Sequence, residues 1–102
     1  MKTRVASLAD LEAGKPKCAA FNGEDVVLLR RGDEVLAISN VCPHQGGSIG
    51  DGWAEGDILV CPLHGWEFDA RSGACMTIPG ERVPAYTATI DGGDVYLEPR
   101  DA

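Results

Sequence analysis

Two short motifs, each with one cysteine and one histidine, constrain this sequence more than any other feature. The first, C-P-H, occupies residues 42–44, and the second, C-P-L-H, occupies residues 61–64 after sixteen intervening residues. Each motif offers one thiolate and one imidazole from a tight turn, which the proline after the cysteine stiffens. If the two turns meet face to face, they supply four ligands to a metal site. The predicted ligands are Cys42, His44, Cys61 and His64.

The rest of the sequence has the composition of an all-β domain. Thirteen glycines and six prolines separate short runs rich in Val, Ile, Leu and Tyr, a pattern typical of strands joined by turns. The predicted strands are Thr3–Ser7, Lys17–Phe21, Asp25–Arg30, Glu34–Ser39, Ile58–Cys61, Glu67–Phe68, Tyr86–Ile90 and Val95–Glu98. Alternation within Glu34–Ser39 predicts a half-buried strand. Only Ser7–Ala13 indicates a helical turn, with Ser7 as its N-cap.

One segment interrupts this strand pattern, namely residues 40–57, in which five of eighteen positions are glycine. A compact domain rarely carries so long a loop without a function for it. The chain has 102 residues, which is enough for one modest core, and we expect a single domain over residues 1–102.

Charge and cysteine content narrow the functional classes. The net charge is −7, and residues 51–102 carry ten acidic and three basic side chains, which disfavours binding to nucleic acid or to anionic lipid. The sequence shows no signal peptide and no run long enough for a membrane helix. We therefore expect a cytoplasmic protein, and in a reducing compartment four cysteines point to metal binding instead of disulfides.

The mixture of ligands has a physical meaning for iron–sulfur chemistry. Two ferric ions and two sulfides bound by four thiolates form a dianion, whereas two thiolates and two neutral imidazoles leave the cluster uncharged. Because an electron enters a neutral cluster more easily than a dianion, the histidines raise the reduction potential, to roughly −150 to +300 mV against about −400 mV for all-cysteine clusters.

With these residues in place, the segment CPHQGGSIGDGWAEGDILVCPLHGWEFDARSG resembles the cluster-binding region of Rieske 2Fe-2S proteins. The resemblance covers about a third of the chain and implies a Rieske-type antiparallel β-sandwich or barrel with a small cluster-binding subdomain at residues about 40–80. It also implies that Cys42 and Cys61 bind one iron, and that His44 and His64 bind the other at a solvent-facing tip. A later loop, Ile78-Pro79-Gly80, is then expected to cover the cluster from the side.

The sequence departs from respiratory and photosynthetic Rieske proteins at the positions of an extra disulfide and of two hydroxyl donors to the cluster. Gly47 and Leu63 stand in place of the cysteines, and Trp66 and Phe68 stand in place of the donors. Fewer donors predict a potential at the low end of the Rieske range. This suits a soluble ferredoxin that passes electrons from a flavin-containing NAD(P)H reductase to a terminal aromatic-ring or related oxygenase.

No mononuclear iron domain follows in the sequence, so we expect an electron-transfer protein without catalytic residues of its own. Two alternatives remain open at this point. The first is the small Rieske subunit of a nitrite-reductase-like complex. The second is a zinc-stabilised interaction module, since two cysteines and two histidines also make a structural zinc site.

We also predict roles for several residues outside the two motifs. We expect Cys18 to be a buried structural thiol, and Cys75 to lie near the cluster without being needed as a ligand. Trp53 and Trp66 are expected to pack in the core or to shield the cluster from water. Acidic residues frame the motifs and form either a docking rim or a solvated face. They are Asp51, Glu55, Asp57, Glu67 and Asp69.

Overall fold

Nine β-strands lie within the part of the chain that the computed structural model describes, residues 2–41, 47–62 and 65–99. They are β1 (Thr3–Ser7), β2 (Pro16–Phe21), β3 (Glu24–Arg31), β4 (Glu34–Ser39), β5 (Trp53–Glu55), β6 (Ile58–Val60), β7 (Glu67–Asp69), β8 (Ala85–Asp91) and β9 (Asp94–Pro99). All eight predicted strands are confirmed to within one residue at each end. The sequence analysis missed β5, a three-residue strand inside the glycine-rich segment.

Two antiparallel sheets organise these strands. The larger sheet has six strands in the order β1-β9-β8-β4-β3-β2, and the smaller has three in the order β5-β6-β7. Two-residue turns close the β2–β3, β3–β4, β5–β6 and β8–β9 hairpins, and Asn22-Gly23 is an example in which both residues have positive φ, at 52° and 81°. Such turns match the right-handed twist of the flanking strands. The all-β prediction is therefore confirmed.

Helical structure is limited to short turns among the described residues. One 3₁₀ turn spans Leu8–Asp10 and another spans Ile49–Asp51. The first confirms a helical turn after Ser7 with Ser7 at its N-cap position, although the Ser7 side chain makes no capping hydrogen bond. No described helix has the length and apolar character that crossing a bilayer requires.

The hairpin of β3 and β4 is buried on both of its faces. Leu36 and Ile38 pack in a core shared with the small sheet, whereas Val35 and Ala37 pack in a second core against β8 and β9. The prediction that β4 is half buried was therefore wrong. Alternation separated the two faces correctly, but the small sheet covers one of them and β8 and β9 cover the other.

Ion pairs tie the small sheet to this hairpin at the end remote from Cys61. Asp57, in the β5–β6 turn, accepts hydrogen bonds from Arg31 at 2.7 Å and from Arg71 at 2.8 Å, and Arg71 also pairs with Glu34. The Arg71 guanidinium lowers the pKa of both Asp57 and Glu34 by hydrogen bonding to their carboxylates. These contacts fix the small sheet on the larger one.

Candidate metal centre

One of the four predicted ligands lies within the described residues. Cys61 follows directly after β6, and its side chain is fully buried in the core between the two sheets. The other three predicted ligands, Cys42, His44 and His64, lie outside the described residues, so their placement stays a prediction. Of the described residues, no group of three His, Cys, Asp or Glu side chains could hold a metal ion.

The ends of the first motif's loop are held together. Val41, which precedes Cys42, forms an isolated antiparallel bridge with Ser48, and the Ile49 N–H donates to the carbonyl of Asn40 at 2.9 Å. The described chain on either side of residues 42–46 is therefore held together at the end of β4.

The second motif occupies the hairpin connection between β6 and β7. Val60 pairs with Glu67, and the Cys61 N–H donates to the carbonyl of Trp66 at 2.8 Å. Gly65, inside this connection, has a φ of 68°, a backbone conformation that residues with a Cβ adopt only under strain. Cys61 and Trp66, at the two ends of this connection, are therefore held together.

The chain that follows the first motif approaches the start of the second motif closely at Gly52. A Cβ added to this residue would lie 1.7 Å from the carbonyl oxygen of Val60 and 3.1 Å from Cδ of Pro62. Gly52 follows the first loop and Pro62 belongs to the second motif, so these two described segments are adjacent. That the ligands themselves face one another stays a prediction.

A third loop lies beside the second motif. The Met76 N–H donates to the carbonyl of Glu67 at 2.7 Å, and the Glu67 N–H donates to Oγ1 of Thr77 at 2.9 Å. The Ile78 N–H donates to the Cys75 Sγ at 3.4 Å. Met76 and Thr77, which precede Ile78-Pro79-Gly80, are thus attached to the start of β7, and the covering of the cluster by residues 78–80 stays a prediction.

The described surroundings fit an iron–sulfur cluster held by both motifs. These surroundings are a buried cysteine at a strand end, a close approach between the described segments beside the two motifs, and a third loop attached at the start of β7. A drier site and backbone N–H groups near the ligands are the means by which proteins tune such clusters.

Four residues outside the motifs test the burial predictions. Cys18 is exposed, so its predicted burial is wrong. Trp53 is 48% exposed and its Nε1 donates to Glu55 at 2.8 Å, so its packing in the core is wrong and its shielding of the cluster stays a prediction. Trp66 is partly buried against the core between the sheets, as expected. Cys75 is buried in that same core, and neither Cys18 nor Cys75 forms a disulfide.

The acidic residues around the motifs do not form one uniform rim. Asp57 is bound by two arginines, Asp69 accepts a hydrogen bond from the Arg71 N–H, and Glu55 accepts one from Trp53. Asp51 and Glu67 are exposed close to the two loops. Of these five residues, only Asp57 is paired with cationic side chains among the described contacts, whereas neutral donors leave Glu55 and Asp69 their negative charge.

Sequence reasoning missed Asn40. It is the one buried polar residue in the described part of the chain, and it lies two positions before Cys42. The sequence did contain a signal, namely a single amide residue at the end of an apolar strand. Amides in such buried positions are normally hydrogen bonded.

Comparison with known proteins places these features in a family. The pattern of the family described as Rieske [2Fe-2S] domain matches residues 1–87. A ferredoxin component of naphthalene 1,2-dioxygenase/salicylate 5-hydroxylase systems from Ralstonia sp. is 30% identical over 92% of this chain and 91% of its own length.

The solved ferredoxin of carbazole 1,9a-dioxygenase from Nocardioides aromaticivorans superposes with a TM-score of 0.90. It is 35% identical, with coverage of 98% of this chain and 99% of that one. A cholesterol 7-desaturase of Drosophila melanogaster is 37% identical over 74% of this chain. The chain spans only about a fifth of the first curated relatives it matches, 18% in the case of this desaturase.

Proposed function

Because this chain belongs to the Rieske 2Fe-2S domain family, we propose that it carries single electrons from a flavin-containing NAD(P)H reductase to a terminal oxygenase. The oxygenase would act on aromatic rings or related substrates. The observation that carries this proposal is the similarity to ferredoxin components of dioxygenase systems over nearly the whole chain. The desaturase relative, by contrast, is matched over a small part of its length.

The cofactor of this family is one 2Fe-2S cluster, which accepts and releases one electron at a potential raised by its two imidazole ligands. For this chain we assign Cys42 and Cys61 to one iron, and His44 and His64 to the other. Support comes from the full burial of Cys61 and from the contact between the segments that carry the two motifs. The family match favours iron and sulfide over the zinc alternative.

The proposed role gives this chain no catalytic residues, because the substrate would be bound and oxidised by the oxygenase partner. The protein's task is to hold the cluster, to set its potential and to present it to partners in the cytoplasm. Residues 1–102 would act as one domain, with residues 40–80 as a cluster-binding subdomain. The small sheet and all three loops beside the site fall within that interval.

The surface beside the two loops supports docking to another protein. Among the described residues, the large hydrophobic side chains that are more than a third exposed all flank the loops, either along the chain or across the small sheet. They are Val41 at 48%, Trp53 at 48%, Met76 at 58% and Ile78 at 38%. Exposed apolar groups of this kind, next to acidic residues, suit a partner face with apolar contacts and a basic rim.

The experiment that tests this function begins with the purified protein. We expect two irons and two sulfides per chain, and, after reduction with dithionite, the electron paramagnetic resonance spectrum of a Rieske cluster. A colourless protein that contains zinc would overturn the assignment. A second measurement, the stopped-flow reduction of the cluster by a flavin reductase with NAD(P)H and its reoxidation by an oxygenase, tests the carrier role itself.

A further inference from the structure

Asn40 joins the two ends of the loop that carries the first motif. Its side-chain carbonyl accepts a hydrogen bond from the Gly50 N–H at 2.6 Å, and its amide nitrogen donates to Oγ of Ser48 at 2.7 Å. Its backbone N–H donates to the carbonyl of Asp25 at 3.0 Å, and its carbonyl accepts from the Ile49 N–H at 2.9 Å. One residue thus binds β3 on one side and three consecutive residues after the loop on the other.

The side chain has little freedom to make these contacts differently. Asn40 is only 6% exposed, and a buried amide is destabilising unless its donors and its acceptor are paired. A Cβ added at Gly50 would lie 2.9 Å from Oδ1 of Asn40 and 2.5 Å from Sγ of Cys18. The amide is therefore enclosed between β2 and the 3₁₀ turn Ile49–Asp51, with glycine at the point of closest approach.

The loop so fixed is the one that contains two predicted ligands. Cys42 follows Asn40 by two residues, and Ser48 follows His44 by four. An apolar side chain could fill the same volume, but it could not form hydrogen bonds with the Gly50 N–H and the Ser48 hydroxyl. Directed bonds of this kind specify a geometry more than they add stability.

We propose that Asn40 is a positioning residue that sets the placement of Cys42 and His44 by fixing both ends of their loop. This inference rests on the proposed function, because it requires a cluster bound by those residues. Asn40 acts through the loop, and its removal should change the electronic structure of the cluster and its retention more than it changes the stability of the rest of the fold.

The test uses the cluster-containing protein and compares Asn40→Ala with Ser48→Ala and Asn40→Asp. Asn40→Ala removes both side-chain bonds, and we expect the cluster to be lost about tenfold faster, which corresponds to about 1.4 kcal/mol in the barrier, with shifted or broadened resonance lines. Ser48→Ala removes only the bond from the Asn40 amide nitrogen. It should change the rate of cluster loss and the resonance lines in the same direction as Asn40→Ala, but by less. It also provides an answer if Asn40→Ala fails to fold.

Asn40→Asp provides a partial rescue, since one carboxylate oxygen can accept from the Gly50 N–H and the other from the Ser48 hydroxyl, while the buried charge lowers the stability of the fold. We expect it to recover the linewidths of the unaltered protein. The control is Val95→Ala, which truncates a fully buried residue of the other core. It should lower the free energy of unfolding and leave the resonance spectrum unchanged.

The outcomes separate this inference from the function on which it rests. If the unaltered protein holds no 2Fe-2S cluster, the proposed function fails. Suppose that the unaltered protein holds the cluster, but Asn40→Ala and Ser48→Ala have the same resonance spectrum and the same rate of cluster loss as the unaltered protein. The positioning role alone is then overturned. Spectral change in the Asn40 and Ser48 variants together with an unchanged spectrum in Val95→Ala supports the role.

Discussion

Gly52→Ala is expected to disrupt the contact between the segments that carry the two motifs. The new methyl group would lie 1.7 Å from the carbonyl oxygen of Val60, whereas Cβ contacts below 3.0 Å are essentially absent from real proteins. Because the obstacle is backbone and not the end of a flexible side chain, the two segments must separate by roughly 1 Å. That movement acts at the start of β5, where Trp53 pairs with Val60.

The cost can be built from two contributions. Overpacking typically costs about 1–3 kcal/mol, and each hydrogen bond lost from the strand pairing costs about 1 kcal/mol. We therefore expect the free energy of unfolding to fall by about 2–4 kcal/mol. For a domain of this size, each kcal/mol lowers the Tm by roughly 4–8 °C, so a decrease of roughly 10 °C or more is expected.

The assay is urea unfolding of the cluster-containing protein, followed by circular dichroism and by cluster absorbance. Gly56→Ala is the matched control, since its Cβ would meet nothing within 4 Å and only its φ of 63° opposes the substitution, at a cost of about 1–2 kcal/mol. The close approach is refuted if Gly52→Ala is no more destabilising than Gly56→Ala.

Three further predictions concern charge. Arg71 lowers the pKa of Asp57 and Glu34, so its stabilising effect is present above their unfolded pKa near 4 and is lost as the pH falls through the lowered folded values. The difference in unfolding free energy between the unaltered protein and Arg71→Met should therefore shrink from pH 6 to pH 3 in urea titrations, and a constant difference would contradict it. His64→Cys adds a thiolate, and voltammetry should show the potential falling towards about −400 mV; an unchanged potential and spectrum would show that His64 is not a ligand. Raising the salt concentration should slow reduction by the reductase, because exposed charges are screened beyond about 8–10 Å, and a salt-independent rate would remove the steering role of the acidic surface.

The strand positions could be predicted because they depend on local signals. Alternation over five to eight residues and turn pairs such as Asn22-Gly23 mark where strands begin and end. The short strand β5 could not be found in this way, since three residues between glycines give too few positions to show a period. What covers each face of β4 was equally hidden, because periodicity separates two faces without saying what packs on them.

The candidate site could likewise be predicted from the sequence only in part. The ligand set of Cys42, His44, Cys61 and His64 follows from motif spacing, and the structure describes only Cys61 among them, so the other three stay predictions. The hydrogen bonds of Asn40 depend on partners eight and ten residues along the chain, and no local pattern announces them. The exposure of Trp53 was mispredicted because the size of an aromatic side chain favours burial, whereas its position on the outer face of an edge strand decides otherwise.

The double burial of the β3–β4 hairpin has a consequence for how the protein opens. Val27 and Ile38 pair across this hairpin and belong to the core beneath the small sheet, while their neighbours Leu28 and Ala37 belong to the opposite core. If the small sheet separates from the hairpin, it exposes one apolar face, and if β8 and β9 separate, they expose the other. Neither of these layers can cover the face that the other one leaves. We therefore expect the amide protons along these two strands to exchange with solvent mainly through global unfolding.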